Sequence, residues 1–451
     1  MNVLILTANG REHALALTYA KSKKVKKVIM IPGNGLTASN AAGAHSGLGS
    51  KIKNYPDVKV EDFEKILQIC KKEQIDFVDV SQDEIIAKGY VDKFQKEGIE
   101  TFGPTKRASQ IEWDKAWARE FMKKYGLPIP KYETFSDTKK AEKYVNKFYN
   151  RDSIAPLQND KTVLFVKASG LAGGKGVIKA ESKEQAIDAI QQMKQFKKSG
   201  ETFVIEQELK GEEFSLFALC DGKNYQILQT AQDHKTVYNN NTGPNTGGMG
   251  CIAPTGAITP SIIRIIEKTI LTPFIKGMEA EGRPYQGVLY LGGMITSKGI
   301  KIIEFNARWG DPEAEVILPG IKTDYVDVIT AVKNQKLHKT KITLDRNIRI
   351  SIAGCALGYP QDFSDVKGKE IFGLSDAMKI TGVTIFGAGI TRKEKRFFVN
   401  GGRIFHLVAK GKNIKEARKI AYEAMSLIFI EGNNLHYRTD IGWQELEKHK
   451  Y

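Results

Sequence analysis

The chain has 451 residues, 41% hydrophobic and 27% charged, a globular composition that excludes a disordered or membrane-embedded polypeptide and exceeds what one core organises, so about two to four domains are expected. The formal charge of +16 favours anionic, phosphate-bearing substrates. Its lysines scatter among acidic residues (Lys21, Lys23, Lys24, Lys26, Lys27; Lys139, Lys140, Lys143, Lys147) with no aromatic interleaving, so nucleic acid is not an expected partner.

In chain order, residues 3–6 read as a buried strand, with no basic leader before them. Residues 12–21 read as a helix, 28–31 as a second strand, 60–72 as a helix with Val60, Phe63, Leu67 and Cys70 on one face, and 77–80 as a third strand. Such alternation predicts a parallel, Rossmann-like unit that binds ligands at its carboxyl strand ends, here 7–13, 32–34 and 81–84. Gly103-Pro104-Thr105 ends the unit, and a helix with Asp114 and Lys115 follows. From 128–130 to about 196 the pattern suits a small α+β lobe, with an exposed polar loop at 150–161. Residues 197–330 are strand-rich. In the tail, Ile348, Ile350 and Ile352 share a strand face, and Ile414, Ala417, Ala421, Ala424 and Ile428 form a helical stripe that belongs in a core. No apolar run reaches the roughly 18 residues of a spanning helix. Four scattered cysteines (Cys70, Cys220, Cys251, Cys355) without a Cys-x-x-Cys pair suit reduced thiols, and a cytoplasmic location is expected.

Three segments carry chemistry. In Lys167-Ala168-Ser169-Gly170-Leu171-Ala172-Gly173-Gly174-Lys175-Gly176, glycines let backbone N–H groups approach an anion while Lys167 and Lys175 supply charge. The stretch is neither a Walker loop nor a dinucleotide fingerprint, and a flexible hairpin turn is the plainer alternative. In Glu304-Phe305-Asn306-Ala307-Arg308-Trp309-Gly310-Asp311-Pro312-Glu313, a strand puts Glu304 and Asn306 on one face. They are hard oxygen donors of the kind that hold Mg²⁺ with substrate phosphates, and Arg308 offers a planar fork to a carboxylate or phosphoryl group. A solvent-facing polar strand is the alternative. Third, Asp233-His234-Lys235 precedes a Gly/Asn/Thr-rich stretch, 241–250, with the composition of a lid.

The order of Gly10-Arg11-Glu12-His13-Ala14-Leu15, Pro32-Gly33-Asn34, Phe102-Gly103-Pro104-Thr105, the glycine loop, Gln232-Asp233-His234-Lys235, 242–250, 304–313, Asn400-Gly401-Gly402-Arg403 and Asp440-Ile441-Gly442-Trp443 resembles the phosphoribosylamine–glycine ligase family of the ATP-grasp superfamily. The resemblance covers essentially the whole chain and is to the stand-alone form rather than a multifunctional fusion. It implies an α/β protein with an N-terminal Rossmann-like domain (1–103), an ATP-grasp core (104–330) with a small lid lobe at about 125–196, and a C-terminal α/β domain (331–451). By position, Lys115, Lys167, Gly173, Gly174 and Lys175 resemble ATP-phosphate contacts. Glu206, Glu208 and Leu209 fall in the hinge that reads adenine, and Glu213 matches the carboxylate that holds ribose. Glu304 and Asn306 match the metal ligands, with ATP and Mg²⁺ or Mn²⁺ implied and two ions expected. Asp233, His234, Lys235 and Arg308 match the reacting end, and Gly10, Arg11, Glu12, His13, Asn34, Asp83 and Asp311 the substrate end. Glycine and phosphoribosylamine are the implied co-substrates, and a monomer is expected. Two turns depart from the family pattern. Thr7-Ala8-Asn9-Gly10 keeps one glycine of a Gly-rich turn, and Ser81-Gln82-Asp83-Glu84-Ile85-Ile86 replaces Gly-Pro-Glu-x-Pro-Leu. Both lie where the amine acceptor docks, so a ligase using another amine is the alternative.

Overall fold

The computed structural model describes residues 1–37, 49–152 and 163–448. The N-terminal alternation builds a five-stranded parallel sheet in the order Ile52–Asn54, Lys27–Pro32, Asn2–Thr7, Phe77–Asp79, Glu100–Phe102. Asn2–Thr7 runs through the middle and is covered on both faces, which is why its residues do not alternate in polarity. Leu4 and Leu6 pack with Ile29, Ile31 and Val78 on one side, while Val3 and Ile5 join Val28 and Met30 on the other. Strand order reverses around it, opening a crevice at its carboxyl end. The first helix, Gly10–Lys21, starts earlier than its periodicity indicates and is buried from Gly10 to Ala20. It is enclosed by the sheet, the helix Glu313–Ile317 and the strand Val383–Gly387. The second expected helix forms as Phe63–Glu73, because Asp62 caps it by accepting the N–H of Lys65 and so leaves Val60 outside.

The strand-rich middle forms an antiparallel sheet running Gly299–Asn306, Gln286–Thr296, Gly211–Asp221, Tyr225–Asp233, Gly250–Ala253, Ile348–Ala356, Arg403–Gly411, Val383–Gly387. The short strand Gly250–Ala253 is the join. Cys251 stands opposite Asp233 on one side and Ser351 on the other, so strands of the tail extend the central sheet. Ile350 and Ile352 pack against Ile414, Ala417, Ala421 and Ala424 of the helix Ile414–Met425, which places the predicted stripe in a core; Ile428 is buried just past the helix end. All four cysteines are free and buried. Among the described residues no helix is long and apolar enough to cross a membrane.

The small lobe is a four-stranded antiparallel sheet, Tyr132–Phe135, Phe203–Gln207, Leu164–Ala168, Val177–Ala180. Its apolar face meets Ala141 and Val145 of the helix Thr138–Asp152, and Ala186, Ala189 and Ile190 of Lys183–Gln192. The strand Phe203–Gln207 sits inside this sheet, so the lobe extends past the expected limit at 196. Residues 193–200 form 3₁₀ turns with a kink at Lys197 and lead into that strand. The expected loop at 150–161 begins as the end of the helix Thr138–Asp152, and its remainder lies outside the described residues.

A buried ion triad fastens this lobe to the central sheet. Glu206 Oε1 accepts from Arg119 Nε at 2.5 Å, Glu206 Oε2 from Lys167 Nζ at 2.7 Å, and Arg119 Nη2 donates to the carbonyl of Ile303 at 2.6 Å. Burial alone would raise the Glu206 carboxyl, but Lys167 and Arg119 overcome it and hold it at about 2 against the usual 4.5. Its contribution to stability is therefore complete above about 4.5 and lost as pH falls towards 2. Glu206→Gln should cost about 3 kcal/mol near neutral pH. In urea unfolding, the gap to the unaltered protein should narrow as the solution is acidified below the ordinary carboxylate range. A gap that stays constant with pH would show that the carboxylate is not held charged.

Candidate active site

The edge strand Gly299–Asn306 carries Glu304 and Asn306 on one face, beside the lobe. Gly292 lies opposite Glu304 in the register, and a Cβ there would stand 3.3 Å from Glu304 Cγ, so the glycine makes room for the carboxylate. Burial would raise the Glu304 carboxyl, yet Lys235, Lys115 and Lys167 together pull it below its ordinary value, helped by the Asn306 amide. Three cations thus converge on one ionised carboxylate. Lys115 opens the helix Lys115–Lys124; burial, aided by Lys167, lowers its ammonium despite Glu304. Lys235 lies 3.1 Å from Glu213, and Glu213, then Glu304 and Asp233, hold its ammonium above the usual lysine range against burial. After Gln207 the chain leaves the lobe sheet, so Glu208 and Leu209 form the connection to the central sheet. Gly173, Gly174 and Lys175 stand exposed in the turn between Leu164–Ala168 and Val177–Ala180. The two glycines have positive φ (57° and 76°), with nothing within 4 Å of where a Cβ would lie.

Arg308 follows the end of the edge strand. Its Nη2 lies 3.0 Å from Glu112 Oε1 and 3.3 Å from Asn306 Oδ1, and its Nη1 donates to the Trp309 carbonyl at 3.0 Å. Burial opposes its charge, but Glu112 and Asp83 hold the guanidinium firmly ionised. The other Glu112 oxygen accepts the Ala307 N–H at 2.7 Å, fixing the backbone beside Arg308. Arg11 joins from the first helix, with Nη1 on the same Trp309 carbonyl at 3.1 Å and Nε 2.6 Å from Glu12 Oε1. Ser81 donates to that Glu12 oxygen at 3.1 Å. Gly10, Arg11, Glu12, Asp83 and Arg308 are therefore gathered at the crevice.

Other expected site residues face elsewhere. His234 is buried. Its Nδ1 lies 3.3 Å from the Gly250 carbonyl, while Gly442 donates its N–H to Nε2 at 3.1 Å, and burial lowers the imidazole to about 4. It holds the closing 440–444 segment rather than facing the lysines. His13 Nδ1 accepts from Gly387 at 2.9 Å, and Asn34 Nδ2 donates to the carbonyls of Ala8 and Gly387, both at 2.7 Å. Both residues hold the first turn against the strand Val383–Gly387. Asp233 ends its strand with Oδ1 on the His234 N–H at 2.8 Å, and burial, then Glu313, raises its carboxyl. The Asp311 carboxylate points at Arg403, 2.9 Å away, and at His406, 3.3 Å away.

Sequence reasoning did not assign Glu112, Arg119 or Arg403. Arg403 Nη1 donates to the carbonyls of Gly247, Gly248 and Asp311 at 2.7, 3.2 and 3.0 Å, clamping the glycine-rich segment onto the Gly310-Asp311-Pro312 turn. The Gly401-Gly402 pair before it was a signal. Glu112 and Arg119 sit in ordinary amphipathic helices and gave none. The first turn holds another surprise. Thr7 has φ 85°, in the left-handed region that β-branched residues avoid, and its buried Oγ1 has no hydrogen-bond partner among the described residues.

Three family models match consecutive parts of the chain: phosphoribosylglycinamide synthetase N domain over residues 1–112, its ATP-grasp (A) domain over 113–314, and its C domain over 350–444. A phosphoribosylamine–glycine ligase of Streptococcus pneumoniae serotype 4 is 39% identical over 446 residues, covering 98% of this chain and 99% of the relative. The trifunctional purine biosynthetic protein adenosine-3 of Bos taurus is 38% identical over 448 residues, which are 98% of this chain but 42% of that protein. The crystal structure of phosphoribosylamine–glycine ligase from Thermotoga maritima superposes with a TM-score of 0.77 at 30% identity, covering 98% of this chain and all of that one. An L-amino acid ligase from Bacillus licheniformis shares the fold alone, with a TM-score of 0.61 at 14% identity. With an ATP-grasp core set between matching N and C domains, the chain belongs to the phosphoribosylamine–glycine ligase family.

Proposed function

We propose that this protein joins glycine to 5-phosphoribosylamine at the expense of ATP, giving glycinamide ribonucleotide, ADP and phosphate. The observation that carries the reading is the convergence of Lys115, Lys167 and Lys235 on the ionised Glu304, next to Arg308 at the mouth of the first sheet. A carboxylate resists attack by an amine because its oxygen leaves poorly. Transfer of the γ-phosphoryl group to a glycine carboxylate oxygen turns that oxygen into part of a phosphate leaving group. The ribosylamine nitrogen then bonds to the acyl carbon, phosphate departs, and the nitrogen loses a proton.

Phosphoryl transfer asks the protein mainly for positioning and neutralisation of charge. Lys115 and Lys167 would meet the ATP phosphates. Lys235 and Arg308 would hold the transferred group and the glycine carboxylate. The 207–209 connection would hold adenine through its backbone, and Glu213 the ribose hydroxyls. Glu304 and Asn306 fit a divalent cation, because one carboxylate kept ionised among lysines and one amide oxygen are hard donors of the type Mg²⁺ or Mn²⁺ takes beside phosphates. When bound, such ions, two being expected, neutralise the β- and γ-phosphates. Glycyl phosphate hydrolyses if wet, so the 169–176 turn with Lys175 is read as a lid that closes over the site. Gly10, Arg11, Glu12 and Asp83 would receive the ribose phosphate and amine, with the first helix's N-terminus favouring the phosphate. His13, Asn34 and His234 serve by holding these turns in place. We read the domains as 1–103, 104–330 with a lobe reaching residue 207, and 331–451. Four buried free thiols suit a reducing cytoplasm, and a monomer is expected.

Glu304→Gln should lower turnover by about two to four orders of magnitude while leaving the fold intact; near-normal turnover in a folded sample would remove Glu304 from the metal site. For the acceptor, phosphoribosylamine should be generated in place, glycinamide ribonucleotide followed by mass and ADP counted. Product should appear with one ADP per ligation, and with acceptor affinity weaker than is usual for the family, because Asp83 is one methylene shorter than Glu and Thr7 adds a side chain. ADP formation with glycine and another amine, but never with phosphoribosylamine, would transfer the assignment to a different amine ligase.

A further inference from the structure

Behind the crevice lies a polar cluster with two members, Glu315 and His406, to which the proposed ligase chemistry gives no part. Asp311 from the turn after the edge strand, Glu315 from the helix Glu313–Ile317 and His406 from the strand Arg403–Gly411 bring one ligand atom each to within 4.8 Å of one another. His406 Nε2 is 3.3 Å from Asp311 Oδ1 and 3.9 Å from Glu315 Oε1, and the side chains of Glu315 and His406 are wholly buried. Neither oxygen of Glu315 and neither nitrogen of His406 has a hydrogen-bond partner among the described residues. Four polar atoms buried without partners are costly, and one from each residue lies close to Asp311 in the same cluster.

The local charge is unbalanced as well. Asp311 pairs with Arg403, whose Nη2 is 2.9 Å from Asp311 Oδ1, whereas among the described residues no lysine or arginine forms an ion pair with Glu315. Arg11 is nearby, but its Nε is engaged by Glu12. The positive end of the first helix opposes a cation here, and the carboxylates of Asp311 and Glu315 are the groups that would offset it. Gly10 keeps the space open: a Cβ there would lie 2.3 Å from Glu315 Oε1 and 2.7 Å from His406 Cδ2.

We propose that Asp311, Glu315 and His406 form a second, structural metal site, distinct from the Glu304–Asn306 pair, for a divalent transition cation of the zinc type. Two carboxylate oxygens and an imidazole nitrogen are a zinc donor set, with bonds of about 2.0–2.2 Å. Imidazole disfavours Mg²⁺, which separates this site from the nucleotide-linked one. Small side-chain rotations would close the 3.3 and 3.9 Å separations around one ion. Arg403 on Asp311 would hold one ligand from outside the shell. The ion would join three distant stretches of chain, the 311–315 turn, the strand Arg403–Gly411 and the start of the first helix, beneath the acceptor end.

The test uses full-length protein without a histidine tag, exposed to zinc, dialysed in excess Mg²⁺ and analysed by plasma emission. One zinc per chain should remain, and the thermal midpoint should rise with zinc. Glu315→Gln and His406→Gln should each weaken retention about tenfold or more, while Glu304→Gln keeps its zinc, so failure of the proposed nucleotide-linked metal site would not be mistaken for failure of this one. Unaltered protein loaded with Co²⁺ should show the intense visible bands of a low-coordinate N/O site, which keeps the test decisive should a variant fail to fold. Substoichiometric zinc in the unaltered protein, zinc retained in both cluster variants, or only the pale spectrum of hydrated cobalt would overturn the proposal.

Discussion

The interaction on which the nucleotide side of this protein depends is the buried triad of Arg119, Glu206 and Lys167. Each member comes from a different element: the helix Lys115–Lys124, the lobe strand Phe203–Gln207 and the lobe strand Leu164–Ala168. Glu206 is charged because two cations hold it so, and those cations are fixed because Glu206 is charged. Arg119 carries the constraint across to the Ile303 carbonyl, the residue before Glu304. The lobe, Lys167 and the edge strand that carries Glu304 are thereby tied through one carboxylate. Buried pairs of this kind add little net stability over an apolar substitute, but they fix register. Here the register fixed is that of Lys167 relative to Glu304.

Arg403 plays the corresponding part at the other end. Its three carbonyl contacts and its pairing with Asp311 bring the glycine-rich 242–250 segment and the 310–312 turn onto the strand Arg403–Gly411. Residues far apart in sequence, one in the tail and one in each of two loops, become a single wall. The tail of this chain is thus part of the site's framework, consistent with its strands continuing the central sheet through Gly250–Ala253.

Local signals read well where one periodicity dominated. The parallel sheet, the edge strand with Glu304 and Asn306, and the helical stripe from Ile414 to Ala424 each follow from spacing alone, because burial on one or both faces leaves a plain pattern. Legibility failed where a residue's meaning depends on a partner hundreds of positions away. His234 reads as catalytic by its neighbours Asp233 and Lys235, but it stands buried just past the end of its strand, where Gly442 donates its N–H to Nε2. His13 and Asn34 look like binding residues at strand ends, and Gly387 engages one ring nitrogen of His13 and the side-chain amide nitrogen of Asn34. Glu112 and Arg119 were silent because a charged residue on an amphipathic helix is ordinarily solvated, and nothing in their own helices shows that they are covered.

Those same two contacts to Gly387 account for the unusual first turn. A threonine at φ 85° costs about 1–3 kcal/mol of backbone strain, and such strain persists only where surrounding bonds over-determine the conformation. Asn34 holds the Ala8 carbonyl with one donor and the Gly387 carbonyl with the same amide nitrogen, while His13 takes the Gly387 N–H. The residue following Thr7 is therefore pinned from behind by the tail, and the helix that starts at Gly10 is pinned at His13. With both sides of the turn fixed, Thr7 has no freedom to relax into an extended conformation, and its methyl and hydroxyl stay at the carboxyl end of the central strand. The turn after the central strand has few glycines but keeps a glycine-like backbone path at Thr7, because its contacts with the tail through Asn34 and His13 hold that path.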